Sequence, residues 1–207
     1  DAVAGEVPGL AADDEPCCVF AARAATEAWR DSGADRRVAV IAGTSSGPHR
    51  SEEALDQLEV DDPGAAARIK RRDRPLAVAV AAGEAIGAEG PRITVSTACA
   101  SGLSALALAV DLLRAGRLDV VVAGGAEGLS RRRMAGFAAL GALARGPCAP
   151  FSTPVGMTLG EGAAFLVLER AADARRRRGG AVAEARPSAG RTQAQKRPDA
   201  SAYLRVP

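Results

Sequence analysis

The feature that most constrains this chain is a set of short apolar runs lacking the polar alternation of a half-exposed strand. They are Val38–Ala42, bounded by Gly43; Leu118–Ala123; and Ala163–Leu168; a further strand, Ile93–Ser96, follows the turn at Pro91. Strands of this kind are buried on both faces, which implies a largely parallel sheet covered by helices on each side. The segments between them read as those helices. Pro16 follows Asp13-Asp14-Glu15 and opens a helical stretch to Gly33, with Trp29 near its end; acids first and glycine last fit helix punctuation. A shorter helix starts at Ser51-Glu52-Glu53, an alanine-rich one spans Pro75–Gly87, and Ala100–Ala115 is closed by Gly116. The class is α/β.

With 207 residues, 47% of them hydrophobic, the chain suffices for one large domain or two small ones and excludes disorder over its whole length. Only 3% is aromatic, so the core must be built from Ala, Val and Leu. No run approaches the ~20 apolar residues of a spanning helix, and no secretory pattern is visible at the amino end. Cys17, Cys18, Cys99 and Cys148 include no C-x-x-C pair, and His49 is the single histidine. No zinc site is therefore expected, and a cytoplasmic protein with reduced thiols is. Residues 171–207 carry nine basic and three acidic side chains. We expect a domain over 1–178 and a basic, poorly ordered tail over 179–207. With Tyr203 as its sole aromatic, the tail is not expected to bind nucleic acid or membrane.

The chemistry concentrates in Ile93–Val110. A strand ends, a tight turn follows, and Cys99 falls where the next helix begins. A thiol there meets the positive end of the helix dipole and unpaired backbone N–H groups, which favour the nucleophilic thiolate. The same N–H groups suit an oxyanion on an acyl group bound to sulfur. Gly102 removes bulk one turn in. The helix is apolar on nearly every face through Val110, so it is expected to be buried, holding its nucleophile rigidly. Position alone leaves open that Cys99 is a small buried hydrophobe.

Thr97-Ala98-Cys99-Ala100-Ser101-Gly102 resembles the nucleophile motif of the β-ketoacyl-acyl-carrier-protein synthases, the condensing enzymes of fatty-acid and polyketide synthesis. Val38–Thr44 is similar to that family's upstream strand and Gly-Thr. Asp119–Glu127 is similar to the strand and Gly124-Gly125 turn after the nucleophile helix. Pro150-Phe151-Ser152 through Gly160-Glu161-Gly162-Ala163-Ala164 to Glu169 resembles its Pro-Phe … Gly-Glu-Gly-Ala signature. The resemblance covers about residues 15–178. It implies the amino-terminal half of a thiolase-like fold, with a mostly parallel sheet, a buried nucleophile helix and Cys99 as acyl acceptor. It further implies decarboxylative condensation with malonyl carrier-protein, acyl carrier protein thioesters as partners, a homodimer or heterodimer, and no cofactor or metal. In the family two histidines, a lysine and a second oxyanion-hole amide come from the second half, so the other reading is a truncated, inactive relative acting as a dimerisation or carrier-binding module.

The remaining candidates read as structural. His49, in the loop Thr44–Arg50, is expected to be solvated rather than a base. Asp111 and Arg114 lie far along the helix from Cys99 and are expected to form a structural pair. Glu161 is expected to support the site wall rather than transfer protons. Gly124-Gly125 lacks the G-x-G-x-x-G spacing of a dinucleotide site. Cys17, Cys18 and Cys148 are expected to pack, and Arg131–Arg133 to form a solvated face.

Overall fold

The computed structural model describes residues 4–10, 15–34, 37–45, 47–49, 75–151, 153, 155–178, 183–185 and 202–205. The helix expected from Ser51 lies outside them. In chain order the elements are β1 (Ala4–Gly5), α1 (Pro16–Ser32), β2 (Val38–Gly43), α2 (Leu76–Ala85), β3 (Arg92–Val95) and α3 (Ser101–Arg114). Then follow β4 (Val120–Glu127), α4 (Arg131–Ala139), β5 (Leu159–Gly160), β6 (Gly162–Arg170), α5 (Ala171–Arg178), β7 (Ala183–Ala185) and β8 (Ala202–Arg205).

Six strands form one sheet in the order β3-β2-β4-β6-β8-β7, while β1 pairs with β5 separately. Three of the four expected strands form the parallel ladder, β3-β2-β4, in which Ile41 faces Ile93 on one side and Ala123 on the other, but the fourth, Ala163–Leu168 in β6, runs antiparallel to it. Strand β6 joins β4 antiparallel, with Gly124 opposite Phe165. The basic tail also contributes structure: β7 and β8 extend the sheet from the edge of β6.

Within β2 the period of two sends side chains to opposite layers, and both are apolar because both are covered. Val38, Val40 and Ala42 pack with Cys17, Ala21 and Ala25 of α1 and with Val78, Ala79 and Ala82 of α2. Ala39 and Ile41 pack with Ala105, Ala109 and Leu113 of α3. Helix α1 begins with Pro16 in its first turn and ends on Gly33 in the left-handed region (φ 56), where glycine costs least.

Two expectations change here. Helix α3 is buried on one side only: Ser101, Ala105, Ala109 and Leu113 face the sheet, whereas Leu103 is 74% exposed. Its apolar content does not mark one stripe, so composition could not tell the inward side from the outward one. Gly124 and Gly125 are not a turn but lie inside β4, paired with β2 and β6. They are glycines because neighbours come too close for a side chain: a Cβ on Gly124 would lie 2.0 Å from the Ala164 carbonyl oxygen.

Candidate functional site

Three glycines bring the start of α3 down onto the carboxyl ends of β2 and β4. A Cβ on Gly43 would lie 2.3 Å from the Ser101 carbonyl carbon and 2.6 Å from the Gly102 nitrogen. A Cβ on Gly125 would lie 3.3 Å from the Gly102 Cα. Backbone thus meets backbone, and the first turn of α3 is set at the sheet's end, its entry closed by the Ala100 and Ser101 N–H groups donating to the Thr97 and Ala98 carbonyls at 3.2 and 3.1 Å.

The turn into α3 is clamped by its own side chains. Ala98 adopts a left-handed backbone (φ 52), a conformation that costs a residue with a Cβ and persists only where surroundings hold it. Ser101 supplies that hold. Its hydroxyl donates to the Ala98 carbonyl at 2.6 Å and accepts the Thr97 N–H at 2.9 Å. The Thr97 and Ser104 hydroxyls pair at 2.8 Å. Cys99 follows Ala98 and immediately precedes Ala100, the N-cap of α3, as expected. It is exposed rather than buried in this chain.

The thiol borders an open cleft of about 340 Å³. Gly43, Thr44, Ser101, Gly102 and Gly125 form part of its wall, and Gly162 to Ala164 at the start of β6 another part. Small residues dominate, and Cys99 and Glu127 are the titratable side chains along the described wall.

Beside the cleft lies a polar cluster that the sequence reading did not identify. The Glu127 carboxylate, at the end of β4, accepts the Thr44 hydroxyl at 3.0 Å, the Ser45 N–H at 2.8 Å and Arg133 Nη2 at 2.8 Å. Burial pushes this carboxyl up, but the bonds from Arg133 and Ser45 and the Arg133 charge outweigh it and hold Glu127 below the ordinary value. Arg133 Nη2 also reaches the Ser45 hydroxyl at 2.7 Å and His49 Nε2 at 2.6 Å. A guanidinium only donates, so His49 Nε2 is the unprotonated nitrogen.

These contacts correct two expectations. His49 is not a solvated loop residue but is 6% exposed, its N–H bonded to Glu15 at 2.9 Å. Arg131 and Arg132 are exposed as expected, whereas Arg133 turns inward. The reason is the half-buried Glu127 carboxylate, six residues earlier at the end of β4, which pairs with the Arg133 guanidinium. Thr44, Ser45 and His49, the other members of the cluster, lie more than 75 residues away from this pair, so no local pattern could signal the whole; the only trace was a lone Glu ending an otherwise apolar strand.

The other candidates fall as follows. Glu161 is structural: its carboxylate accepts the Val7 N–H at 2.9 Å and the Leu129 N–H at 3.0 Å. Asp111 and Arg114 sit in the last turn of α3, about 15 and about 20 Å along its axis from its first residue at 1.5 Å per residue, and so far from Cys99. Cys17 is fully buried, and its hydrogen bond with Cys18, its burial and nearby carboxylates push its thiol far up. Cys18 is half-buried, but Cys148 is exposed rather than packed, its thiol 3.8 Å from the Gly156 carbonyl. Among the described residues no cluster of His, Cys, Asp and Glu could hold a metal, and no helix is long and apolar enough to cross a membrane.

Comparison with known proteins gives a consistent picture. The family model of the beta-ketoacyl synthase N-terminal domain matches residues 8–174. The tetracenomycin polyketide synthase ketoacyl synthase alpha subunit of Streptomyces glaucescens is 35% identical over 192 residues, covering 82% of this chain and 45% of that protein. A beta-ketoacyl synthase from Burkholderia phymatum STM815 superposes with a TM-score of 0.72 at 30% identity, over 86% of this chain and 50% of that one. The ishigamide ketosynthase/chain length factor gives 0.73 at 27% identity, over 83% and 48%. The chain thus spans about half the length of these relatives, and its fold is the thiolase-like α/β fold of ketosynthases.

Proposed function

The chain belongs to the beta-ketoacyl synthase family, and from that premise we propose that Cys99 is the residue that accepts the acyl group. The observation that carries this reading is the placement of an exposed thiol at the clamped turn into α3, on the wall of an open cleft. The Cys99 sulfur, as thiolate, attacks the carbonyl carbon of an acyl thioester carried by phosphopantetheine on a carrier protein. The negative charge that develops on the carbonyl oxygen is stabilised by N–H groups at the start of α3. The bond from carbonyl carbon to carrier sulfur then breaks, and the departing sulfur takes up the proton that Cys99 gave up. One thioester replaces another, so this exchange calls for neither metal nor organic cofactor.

In the condensation that follows, a malonyl carrier-protein thioester loses carbon dioxide. Its carbanion attacks the acyl-Cys99 carbonyl, and the carbon–sulfur bond breaks to give a β-ketoacyl product and return Cys99 as the thiolate. Glu127 is a poor proton acceptor, because the bonds from Arg133 and Ser45 hold its carboxyl below the ordinary value and occupy its oxygens. Acyl acceptance is therefore the step assigned to these residues, and carrier-protein thioesters and a dimer partner are the associations proposed. The polyketide synthases among its relatives favour a polyketide intermediate as the acyl group.

The test is to incubate the protein with an acyl thioester of N-acetylcysteamine and read intact mass and tryptic peptides. One acyl group is expected on the peptide containing Cys99, absent in a folded Cys99→Ala variant. Acylation that persists in Cys99→Ala, or that never occurs, overturns the assignment.

A further inference from the structure

We infer that the Arg133–Glu127 ion pair, acting on Thr44 in the cleft wall and on Ser45 beside it, positions that wall for the incoming thioester, independently of the clamp that holds the Cys99 turn. The inference rests on the acyl-acceptor reading of Cys99.

The backbone ladder that fixes β2 ends at Gly43, its last paired residue, opposite Val95 and Gly125. One further backbone bond, from the Thr44 N–H to the Val95 carbonyl at 3.1 Å, carries the order one residue on. Beyond it, side chains take over. Thr44 donates its hydroxyl to Glu127 and accepts the Gly47 N–H at 3.1 Å, so its orientation is set from both sides. Ser45 gives its N–H to Glu127 and accepts Arg133 on its hydroxyl. Its carbonyl accepts the Ser96 hydroxyl at 2.8 Å. Both groups that organise residues 44 and 45 from β4 and α4 are thus members of the ion pair, and Thr44 and Glu127 lie on the cleft wall with Cys99.

Arg133 is committed to this task. Its Nη2 carries two hydrogens yet has three acceptors, on Glu127, Ser45 and His49. Its Nη1 ties the guanidinium to the Gly128 carbonyl at 3.3 Å. A half-buried pair of this kind gains little stability by itself, but it fixes geometry. The turn from Thr97 to Ser104 has its own hydroxyl clamp, formed without either member of the pair, while Ser96 just before it holds the Ser45 carbonyl through its hydroxyl. Removing the pair therefore loosens one wall and leaves the nucleophile in place.

The experiment compares two reagents on Cys99: iodoacetamide, which needs only the thiol, and an acyl N-acetylcysteamine thioester, which must be oriented. In Glu127→Gln and in Arg133→Met, acylation is expected to slow roughly tenfold to a hundredfold, the order that misplacement by about an ångström costs. Alkylation is expected to stay at the wild-type rate. Arg133→Lys keeps the charge without the fork and is expected to recover part of the acylation rate. Should Arg133→Met fail to fold, Glu127→Gln carries the same comparison. Acylation unchanged in the variants, or acylation and alkylation falling in parallel, overturns the inference. Wild-type protein that takes no acyl group instead overturns the acyl-acceptor reading, and is seen before any variant is compared.

Discussion

On one face of the sheet, α1 and α2 lay Ala21, Ala25, Val78 and Ala82 against Val38, Val40, Val120 and Val122 until all are buried. On the other, α3 lays Ala105, Ala109 and Leu113 against Ala39, Ile41 and Val121, and turns Leu103 outward. Among the described residues the first face is covered by two helices. The second is covered by α3, whose inward residues near its start are small, so that it rides close to the strands and its amino end reaches Gly43 and Gly125. Closeness here does not serve packing alone; it sets the position of Cys99. One face stores stability, and the other converts packing into the placement of a thiol.

The comparison breaks most completely at Gly43. Replacing it with valine drives a side chain into the Ser101 backbone, which cannot yield as a side chain can. We expect a loss at the upper end of the overpacking range, about 3 kcal/mol or more, read as a lowered urea midpoint, with thioester acylation of Cys99 abolished. The same substitution at Gly136, where a Cβ meets nothing within 4 Å, is the control.

Next come the large inward side chains of the α3 face. Leu113 is 1% exposed, and Leu113→Ala is expected to cost about 2–5 kcal/mol. Leu103→Ala on the same helix should change stability by no more than about 0.5 kcal/mol, because most of its surface is already in water. Equal losses at the two positions in chemical denaturation would show that the outward side of α3 is covered after all.

How much of this was legible follows from what each part is made of. Strands β2 and β3 were readable from local runs, and the end of α1 from Gly33, because hydrophobic period and helix punctuation are local properties. The Cys99 turn was readable for the same reason: strand, nucleophile and helix are contiguous. The extent of β4 was misread at Gly124-Gly125, since a glycine pair signals a turn unless one knows that Ala164 and Gly102 press upon it. The Glu127 cluster was unreadable. It joins residues from the ends of α1, β2, β4 and α4, and no spacing within the chain encodes their meeting.

Smaller effects sharpen the contrast between turn and cluster. Ser101→Ala leaves the Thr97 N–H without its acceptor and should cost about 1–3 kcal/mol, with alkylation and acylation of Cys99 slowing together, unlike in the Glu127 variants. The cluster should reveal itself through pH. Glu127 is held below its ordinary value in the folded protein, so its contribution is complete above that value and is lost as the pH falls through the lowered one. Melting temperature against pH should therefore drop on the acid side in the wild type and fall less steeply in Glu127→Gln. Superimposable acid limbs would contradict the ionised assignment.

The most direct measurement of the central claim uses two thiols of one sample. Cys99 and Cys148 are both exposed, but only Cys99 stands at a clamped helix mouth beside the cleft. Wild-type protein is exposed to a limiting amount of an acyl N-acetylcysteamine thioester, and the acyl mass is apportioned between the two peptides at early times. If the turn into α3 is an acyl-accepting site, the label is found on Cys99 while Cys148 stays free. Equal labelling of the two, or label on Cys148 first, would mean that exposure alone governs the thiol and that the architecture around Cys99 does not act as a site.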